Sequence, residues 1–303
     1  MAFAPNYRAQ VELLVQTLPH IANEQWFAMK GGTAINLFVR DLPRLSVDID
    51  LTYLPIQSRE ASLAEIDAVL IRVADQIRKS MPGVRVQTPR SGATLTKLTI
   101  RDRGVQIKVE VTPVLRGCVF DPEIRAVVPA VEDAFGFAEM SIVSLPDLYA
   151  GKIVAALDRQ HPRDLFDVRE MLAHEGVNHR LRQAFIVYLL SHGRPMGEVL
   201  NSSQKDITQE FERGFRGMTA HPVDLNDLIA ARERLVAEIV GAMPDDHRAF
   251  LLSFEMGAPD WSLLGIDVAP ELPAVRWRQQ NLDTLSAEAR RELVARLEMA
   301  LKT

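Results

Sequence analysis

The spacing of apolar side chains predicts an N-terminal part that mixes helices with strands. Apolar residues recur over 63–80 at the interval of an amphipathic helix, which Met81-Pro82-Gly83 is expected to end. Strict alternation over 105–112 predicts a strand, and Asp102-Arg103-Gly104 predicts a tight turn that joins it to a strand over 97–101. The same reasoning predicts two more helices and two more strands, namely helices over 9–19 and 33–39 and strands over 26–29 and 48–53.

The pattern after residue 144 predicts a mainly helical part. Ser144-Leu145-Pro146-Asp147 offers a capping residue, a proline in the first turn and an early acid, which is typical of a helix start. The predicted helices cover 145–160, 163–174, 179–192, 224–241, 245–255 and 286–301. The expected fold class is therefore α+β: a mixed-sheet core over 1–120 followed by a mainly helical domain over 121–303, with 113–144 connecting the two.

Composition narrows the class of protein. The 303 residues are 47% hydrophobic and 25% charged, as in soluble globular proteins. The single cysteine, Cys118, excludes an internal disulfide and a cysteine-rich zinc site, and it fits a reducing compartment. Residues 1–8 lack the charged start and long apolar core of a signal peptide, and no apolar run approaches the roughly 20 residues of a membrane span. We therefore expect a cytoplasmic protein with no membrane partner.

The net charge of -5 bears on nucleic-acid binding. An acidic chain needs a local basic face to hold RNA, and no DNA partner is expected. Arg276-Trp277-Arg278 is the best small candidate, because arginine and tryptophan can contact phosphates and bases. The alternative interpretation is a solvated turn that carries one core tryptophan.

Two short motifs carry the main chemical signal. Gly31-Gly32-Thr33 precedes an apolar helical segment, and glycines there let a phosphate approach the backbone at a helix N-terminus. Asp48 and Asp50 follow on a predicted strand, where residues two apart share a face and lie roughly 6.6–7 Å apart. Two such carboxylates can converge on hard divalent cations such as Mg²⁺. A phosphate-binding turn beside metal-binding acids is the minimal equipment for phosphoryl or nucleotidyl transfer.

Glu110 is a candidate third acid. The alternation over 105–112 places it on the same face as Lys108 and opposite the valines. If this strand lies beside that of Asp48 and Asp50, Glu110 could act as a metal ligand or as a base for the attacking hydroxyl. The alternative is an ordinary ion pair with Lys108 on an exposed sheet face.

A lysine and an aspartate pair form the last candidate group. Lys152 lies in the middle of an apolar stripe of its predicted helix, and a lysine there must find a carboxylate or a phosphate, or reach outward to solvent. Asp164 and Asp167 lie one turn apart on the next predicted helix. Lys152 could bind a triphosphate, and the alternative is a structural ion pair with either aspartate.

Together these stretches resemble the AbiEii/AbiGii-type nucleotidyltransferase toxins, which belong with the polymerase-beta-like nucleotidyltransferase superfamily. The resemblance covers most of the chain and is carried by Lys30-Gly31-Gly32-Thr33-Ala34, Ser46-Val47-Asp48-Ile49-Asp50-Leu51, Leu148-Tyr149-Ala150-Gly151-Lys152, Arg163-Asp164-Leu165-Phe166-Asp167, Gly257-Ala258-Pro259-Asp260-Trp261 and Leu272-Pro273-Ala274-Val275-Arg276-Trp277.

The resemblance implies a nucleotidyltransferase core with a helical C-terminal domain. It also implies use of an NTP with Mg²⁺ or Mn²⁺, and a gene-neighbour antitoxin in a type IV toxin–antitoxin or abortive-infection pair. Some members resemble enzymes that add nucleotides to the 3′ end of tRNA, so tRNA is the expected acceptor. The alternatives are nucleotidylation of a protein or a small molecule, and a nucleotide-sensing interaction module with little catalysis.

The matching motifs also imply residue roles. Asp48 and Asp50 would hold the metal, Lys152 would bind the triphosphate, and Asp164 or Asp167 would complete the catalytic site, to which strand alternation adds Glu110. The remaining assignments are nucleotide binding by Lys30, Gly31, Gly32 and Thr33, and acceptor binding by Arg163, Arg276 and Arg278.

Overall fold

The alternating apolar residues after Gly104 form the longest strand of a mixed sheet. This strand, β7 (Val105–Arg116), buries Ile107, Val109 and Val111 and leaves the residues between them partly exposed. The turn before it has both Arg103 and Gly104 at positive φ, as a tight connection to the preceding antiparallel strand requires. The structure is a computed structural model that describes residues 4–92 and 94–302. Residues 1–3, on which part of the signal-peptide expectation depends, lie outside the described residues.

Contacts between residues divide the chain into two units. Unit 1 consists of the chain up to Ser144 together with Gly217–Pro222, and unit 2 consists of Leu145–Arg216 and the chain from Val223 onward. The expected boundary after residue 120 differs from this division, because residues 121–144 add two further strands and a helix to unit 1.

Unit 1 contains four helices and nine strands among its described residues. The helices are α1 (Pro5–Ala22), α2 (Gly31–Phe38), α3 (Arg59–Ser80) and α4 (Pro129–Phe135). The strands are β1 (Phe27–Lys30), β2 (Asp48–Tyr53), β3 (Arg85–Gln87), β4 (Arg90–Ser91), β5 (Thr94–Leu95), β6 (Lys97–Asp102), β7, β8 (Glu123–Ala126) and β9 (Glu139–Ile142).

Seven of these strands form one sheet in the order β3-β6-β7-β2-β1-β9-β8, and β4 pairs with β5 in a separate hairpin. Strand β2 lies near the middle, antiparallel to β1 and parallel to β7. Helices α1 and α3 pack against the sheet with their apolar faces, which bury Leu14, Leu18, Ile66 and Leu70.

The segment Gly217–Pro222, which we call the strap, belongs to unit 1 through backbone bonds to the chain just before β2. The N–H of Leu45 donates to the carbonyl of Met218 over 2.7 Å, and the N–H of Ala220 donates to the carbonyl of Pro43 over 2.9 Å. A short antiparallel bridge pairs Arg44 with Thr219 between these bonds. The strap thus fixes the main chain that enters β2.

Unit 2 is helical. Its α-helices are α5 (Leu145–Asp158), α6 (Pro162–His174), α7 (His179–Leu190), α8 (Met196–Leu200), α9 (Thr208–Gly214), α10 (Leu225–Val236), α11 (Asp245–Glu255), α12 (Pro273–Asp283) and α13 (Ala287–Leu301). Helix α5 packs against α6 and α7, α6 also packs against α10, and α13 packs against α8 and α11. Among the described helices, none combines the length and apolar character needed to cross a bilayer.

The predicted fold class, a mixed-sheet α+β core followed by mainly helical structure, is confirmed. Two local predictions are wrong. The first helix does not end at Pro19 but continues through it to Ala22, because the last turn buries Ile21 in the core. Residues 113–144 are not a plain connection, because the short strands β8 and β9 and helix α4 lie there.

Candidate active site

The chain turns sharply where β1 ends at Lys30 and α2 begins at Gly31, and the backbone conformation at this junction favours glycine. Gly31 has a φ of +80°, and a Cβ built on it would lie 2.6 Å from Oδ2 of Asp50. Gly32 is tightly surrounded as well, since a Cβ there would lie 2.3 Å from Nη2 of Arg44. We call Gly31, Gly32 and Thr33 the glycine turn. Its backbone approaches the carboxylate of Asp50 more closely than a side chain at position 31 would allow.

Hydrogen bonds fasten the glycine turn to the chain before β2. The hydroxyls of Thr33 and Ser46 share a hydrogen bond of 2.9 Å, and Ser46 N–H donates to the hydroxyl of Tyr7 over 3.1 Å. The amide Nδ2 of Asn36 donates to the carbonyl of Gly32 over 2.6 Å. Thr33 and Gly32 are buried, whereas Gly31 is partly exposed, so Gly31 is the residue of the turn most open to a ligand.

Strand register brings three of the predicted site residues into one row across the sheet. Asp50 of β2 lies opposite Lys30 of β1 and opposite Glu110 of β7. Asp48 lies in the next row of the same face, opposite Lys108. Ile49, which alternates with the two aspartates, is fully buried, so the carboxylates project from the other face of the sheet.

Glu110 has an ion-pair partner that the sequence analysis did not name. The carboxylate contacts Nζ of Lys97, its direct neighbour on β6, and not Lys108. The Glu110 side chain remains 42% exposed, so a ligand can reach it. The row across four strands thus reads Lys97, Glu110, Asp50, Lys30, with two acids between two bases.

Lys30, at the end of this row, has a lowered pKa. Burial lowers the pKa of its ammonium group, and the negative charge of Asp50 acts in the opposite direction. A lysine whose charge is poorly hydrated gains from an added anion nearby, which fits its predicted role in nucleotide binding.

In unit 2, the predicted lysine and aspartates form a buried cluster. Nζ of Lys152 on α5 lies 3.0 Å from Oδ1 of Asp164 and 3.0 Å from Oδ2 of Asp167, both on α6. Both aspartates are 1% exposed, and Lys152 is 12% exposed. Arg159 adds a second cation to Asp164, with Nε to Oδ2 at 2.6 Å.

These cations control the ionisation of Asp164. Burial alone would raise the pKa of its carboxyl, but Lys152 and the hydrogen bonds of Arg159 hold that pKa well below its usual range. Asp164 is therefore a carboxylate at any physiological pH. The structure therefore shows Lys152 in the ion pair that the alternative interpretation named. Contact of Lys152 with a triphosphate stays a prediction.

The three predicted acceptor arginines differ in exposure. Arg163 is exposed in the first turn of α6. Arg276 lies on α12 at 54% exposure and pairs with Glu271. Arg278 is directed inward: its side chain is 12% exposed, Nη2 lies 3.7 Å from Glu255, and Nη1 donates to the carbonyl of Arg194 over 2.9 Å.

The alternative interpretation of Arg276-Trp277-Arg278 is wrong on both points. The segment is helical and not a turn, and Trp277 is 64% exposed and not part of the core. Because Arg278 is held by Glu255, the exposed pair at this place consists of Arg276 and Trp277.

Several residues of the row in unit 1 and of the buried cluster in unit 2 were not identified from the sequence. Lys97 and Arg159 could not be found by spacing, since their roles depend on strand register and on a helix–helix contact. Arg44 and Ser46 did carry a signal: with Asp48 and Asp50 they extend a spacing of two residues that places all four on one side of an extended chain.

The sheet residues suit a hard divalent cation. Asp48 and Asp50 offer carboxylate oxygens on one face, and Mg²⁺ in nucleotide sites is commonly held by one or two carboxylates with phosphates and water completing its shell. Among the described residues, no three side chains of His, Cys, Asp or Glu are gathered into a complete protein-only metal site. The donors thus fit a cation that arrives with a nucleotide.

Comparison with known proteins agrees with this chemistry. A family model described as the nucleotidyl transferase AbiEii toxin of type IV toxin–antitoxin systems matches residues 12–281. The fold is similar to that of MenT4, a nucleotidyltransferase toxin from Mycobacterium tuberculosis H37Rv, with a TM-score of 0.60 and 17% identity over 97% of this chain and 92% of that chain. No curated protein sequence gives a significant match.

Proposed function

We propose, from the premise that the chain belongs to the AbiEii nucleotidyltransferase toxin family, that it transfers a nucleotide from an NTP to the 3′ end of an RNA, with tRNA as the acceptor. The single observation that carries the transfer reaction is the approach of the glycine turn to Asp50. A phosphate-binding backbone and a metal-binding carboxylate can act on the same nucleotide only if they are adjacent, and the missing Cβ of Gly31 makes them so.

The reaction follows from these groups. An acceptor hydroxyl attacks the α-phosphorus of the NTP, a new P–O bond forms, and the bond between the α-phosphorus and the bridging oxygen breaks so that pyrophosphate leaves. A divalent cation bound with the nucleotide would supply charge neutralisation at the phosphates. The contribution of the chain is to orient the nucleotide and to stabilise the developing negative charge.

Glu110 is the candidate to receive the proton of the attacking hydroxyl. It lies directly opposite Asp50, is accessible, and is held by Lys97 on one side. A carboxylate can accept a proton from a hydroxyl that lies within hydrogen-bonding reach. We propose this role for Glu110 in preference to metal binding because Asp48 and Asp50 already supply the carboxylates that a nucleotide-bound Mg²⁺ needs.

Two features support an RNA acceptor. Arg276 and Trp277 are exposed next to each other on α12, a combination that can contact a phosphate and stack on a base. Arg163 is exposed at the start of α6 and offers a second cation. We propose that these three residues, without Arg278, contact the acceptor.

The family description also supports a partner. Type IV toxin–antitoxin systems pair a toxin with an antitoxin, so we propose that a neighbouring gene encodes an antitoxin for this chain. We further propose that both act in the cytoplasm, where NTPs and tRNA are present.

The experiment that tests the acceptor incubates the protein and Mg²⁺ with total cellular RNA and protein and with NTPs labelled at the α-phosphate. Label on tRNA is the expected result. Label on protein or on a small molecule would show that this molecule, and not tRNA, is the acceptor. Nucleotide binding without any transfer would favour a nucleotide-sensing module.

The salt dependence of the transfer rate tests whether the protein holds the RNA by its phosphates. Each phosphate contact releases counterions, so transfer to RNA should fall as salt rises. Arg276→Ala is expected to reduce that slope by about one without changing NTP affinity. Arg101→Ala, which removes an exposed arginine from β6 of unit 1, is the matched control and should leave the slope unchanged.

A further inference from the structure

Arg44 is a buried arginine beside the glycine turn that the predicted site does not include. Only 2% of its surface is exposed, although it lies two residues before Ser46 on the chain that enters β2. Its backbone N–H donates to Oδ1 of Asn36 over 3.1 Å, and Asn36 donates in turn to the carbonyl of Gly32. The arginine is thus connected to the first turn of α2 by its main chain.

Its side chain returns to the same turn. A Cβ built on Gly32 would lie 2.3 Å from Nη2 and 3.2 Å from Cζ of Arg44, so the guanidinium fills the volume that a side chain at position 32 would need. Nη1 donates to the carbonyl of Leu45 over 2.8 Å, so the guanidinium is also bonded to the chain that enters β2.

The position of this charge is unusual for a cation. The first turn of α2 has backbone N–H groups without intrahelical acceptors and carries the positive end of the helix dipole. A guanidinium there adds positive charge where the helix already favours an anion, and Lys30 adds a further cation at the end of β1. These cations and the helix N-terminus lie beside the carboxylate of Asp50, so an anion such as a phosphate meets positive groups on one side and the metal-binding acid on the other.

The main chain of Arg44 is fixed from the other side by the strap. Its two neighbours, Pro43 and Leu45, exchange backbone hydrogen bonds with Ala220 and Met218. The guanidinium therefore reaches Gly32 from a main chain that is held at both flanks, which limits how far it can move away.

We propose that Arg44 is a positioning residue for the triphosphate of the NTP. It holds the glycine turn in the conformation that faces Asp50, and its charge strengthens the attraction of the turn for phosphate. The inference rests on the proposed nucleotidyl transfer, because it assigns a residue to the nucleotide-binding step of that reaction.

The test compares Arg44→Met and Arg44→Lys with Arg116→Met. Arg116, the last residue of β7, is a suitable control because it is another buried arginine of unit 1, at 8% exposure. Its Nη1 donates to the hydroxyl of Ser62 on α3 and not to the glycine turn. Steady-state transfer gives KM for the NTP and kcat, and calorimetry with inorganic tripolyphosphate measures anion binding without any chemistry. Thermal unfolding of each variant is followed in parallel.

Loss of the guanidinium charge and of its support for the glycine turn predicts that Arg44→Met raises KM and weakens tripolyphosphate binding by about tenfold, with a smaller change in kcat. Arg44→Lys keeps the charge but not the planar contact with Gly32, so a loss of a few fold is expected. Arg116→Met should lower the unfolding temperature and leave both binding constants unchanged.

Unchanged KM and tripolyphosphate affinity in the folded Arg44 variants would overturn the proposal, as would an equal loss in Arg116→Met. If Arg44→Met does not fold, Arg44→Lys decides: a raised KM at the wild-type unfolding temperature supports the proposal, and a wild-type KM contradicts it. If the wild-type protein transfers no nucleotide at all, the proposed function fails, while tripolyphosphate binding still decides the role of Arg44.

Discussion

Gly31 is the residue at which the backbone of the glycine turn meets the carboxylate of Asp50. Its φ of +80° is strained for any residue with a Cβ, and the Cβ itself would lie 2.6 Å from Oδ2 of Asp50. We expect Gly31→Ala to lower the free energy of unfolding by about 1–2 kcal/mol and to abolish nucleotide transfer, because Asp50 must move. Chemical denaturation and a transfer assay measure the two effects.

Gly104 provides the matched control for this substitution. It has a φ of +85° in the β6–β7 turn, but a Cβ there would meet nothing within 4 Å. Gly104→Ala should therefore cost similar stability and leave transfer intact. Equal activity of the two variants would contradict the role given to Gly31.

Lys152 allows a second prediction at this scale. Its Nζ contacts two carboxylates that are each 1% exposed, so Lys152→Met leaves buried negative charge without its cation. Breaking such a pair typically costs about 3–5 kcal/mol. We expect a loss of unfolding free energy in this range by urea denaturation, partly restored when Asp167→Asn is added. Lys205→Met, which removes an exposed lysine of unit 2, serves as the control.

NTP affinity, measured on the folded fraction of Lys152→Met, separates the two interpretations of this lysine. A stability loss no larger than that of Lys205→Met, with weakened NTP binding, would contradict a structural ion pair and favour contact with the triphosphate.

Single residues differ in how far the sequence could predict them. Asp48 and Asp50 were predictable because their spacing in a strand determines a shared face. The partner of Glu110 was not, since the choice between Lys97 and Lys108 depends on which strand lies beside β7. The inward orientation of Arg278 was hidden for the same reason, because Glu255 is distant in the chain.

At the scale of elements, the proposed chemistry depends on the row across β6, β7, β2 and β1. If Glu110 accepts the proton of the attacking hydroxyl, Glu110→Gln should lower kcat by about a hundredfold with little change in KM. Lys97→Met removes the ion pair but leaves the carboxylate in place, so its kcat should stay within a few fold of the wild-type value. Equal losses of kcat in the two variants would mean that kcat depends on the ion pair and not on Glu110 as a base.

Elements with strong periodicity were the ones that the sequence could predict. Strand β2 begins and ends at the predicted residues 48 and 53, and the helix predicted over 245–255 is present as α11. Strand β8 and helix α12 lacked such a signal: β8 is a four-residue edge strand whose side chains are mostly exposed, and α12 is largely polar. Their positions depend on contacts with other elements.

For the whole molecule, the division into units is the feature that the sequence could not show. The strap lies after residue 216, inside a stretch of helices, yet its backbone bonds place it in unit 1. No local pattern of apolar residues marks this return. The order of the motifs along the chain, by contrast, was sufficient to predict the family.

The stability of unit 2 is expected to depend on pH through His247. This side chain is 2% exposed and stacks on His179, and burial, with His179 and Arg182 adding to the effect and Asp246 opposing it, lowers its pKa to about 4. Below about pH 6.5, His247 therefore binds a proton in the unfolded chain but stays neutral in the folded unit until the pH approaches 4. Stability contributed by neutral His247 is full above pH 6.5 and is lost as pH falls from 6.5 toward 4.

His247→Phe keeps an aromatic ring in the stack and removes the titrating group. Its unfolding free energy should fall less between pH 6.5 and 4 than that of the wild-type protein. His221→Gln, a change at an exposed histidine, should keep the wild-type profile. Identical pH profiles of His247→Phe and wild type would contradict the account of this buried histidine.

The central claim, transfer of a nucleotide by the acids of β2, is tested most directly with the same NTP labelled either at the α- or at the γ-phosphate. Wild-type protein with Mg²⁺ should place the α-label on its acceptor and release the γ-label in pyrophosphate. Asp48→Asn and Asp50→Asn, with unchanged circular dichroism, should lose at least about a hundredfold in rate. Transfer of the γ-label, or wild-type rates in either variant, would contradict the account.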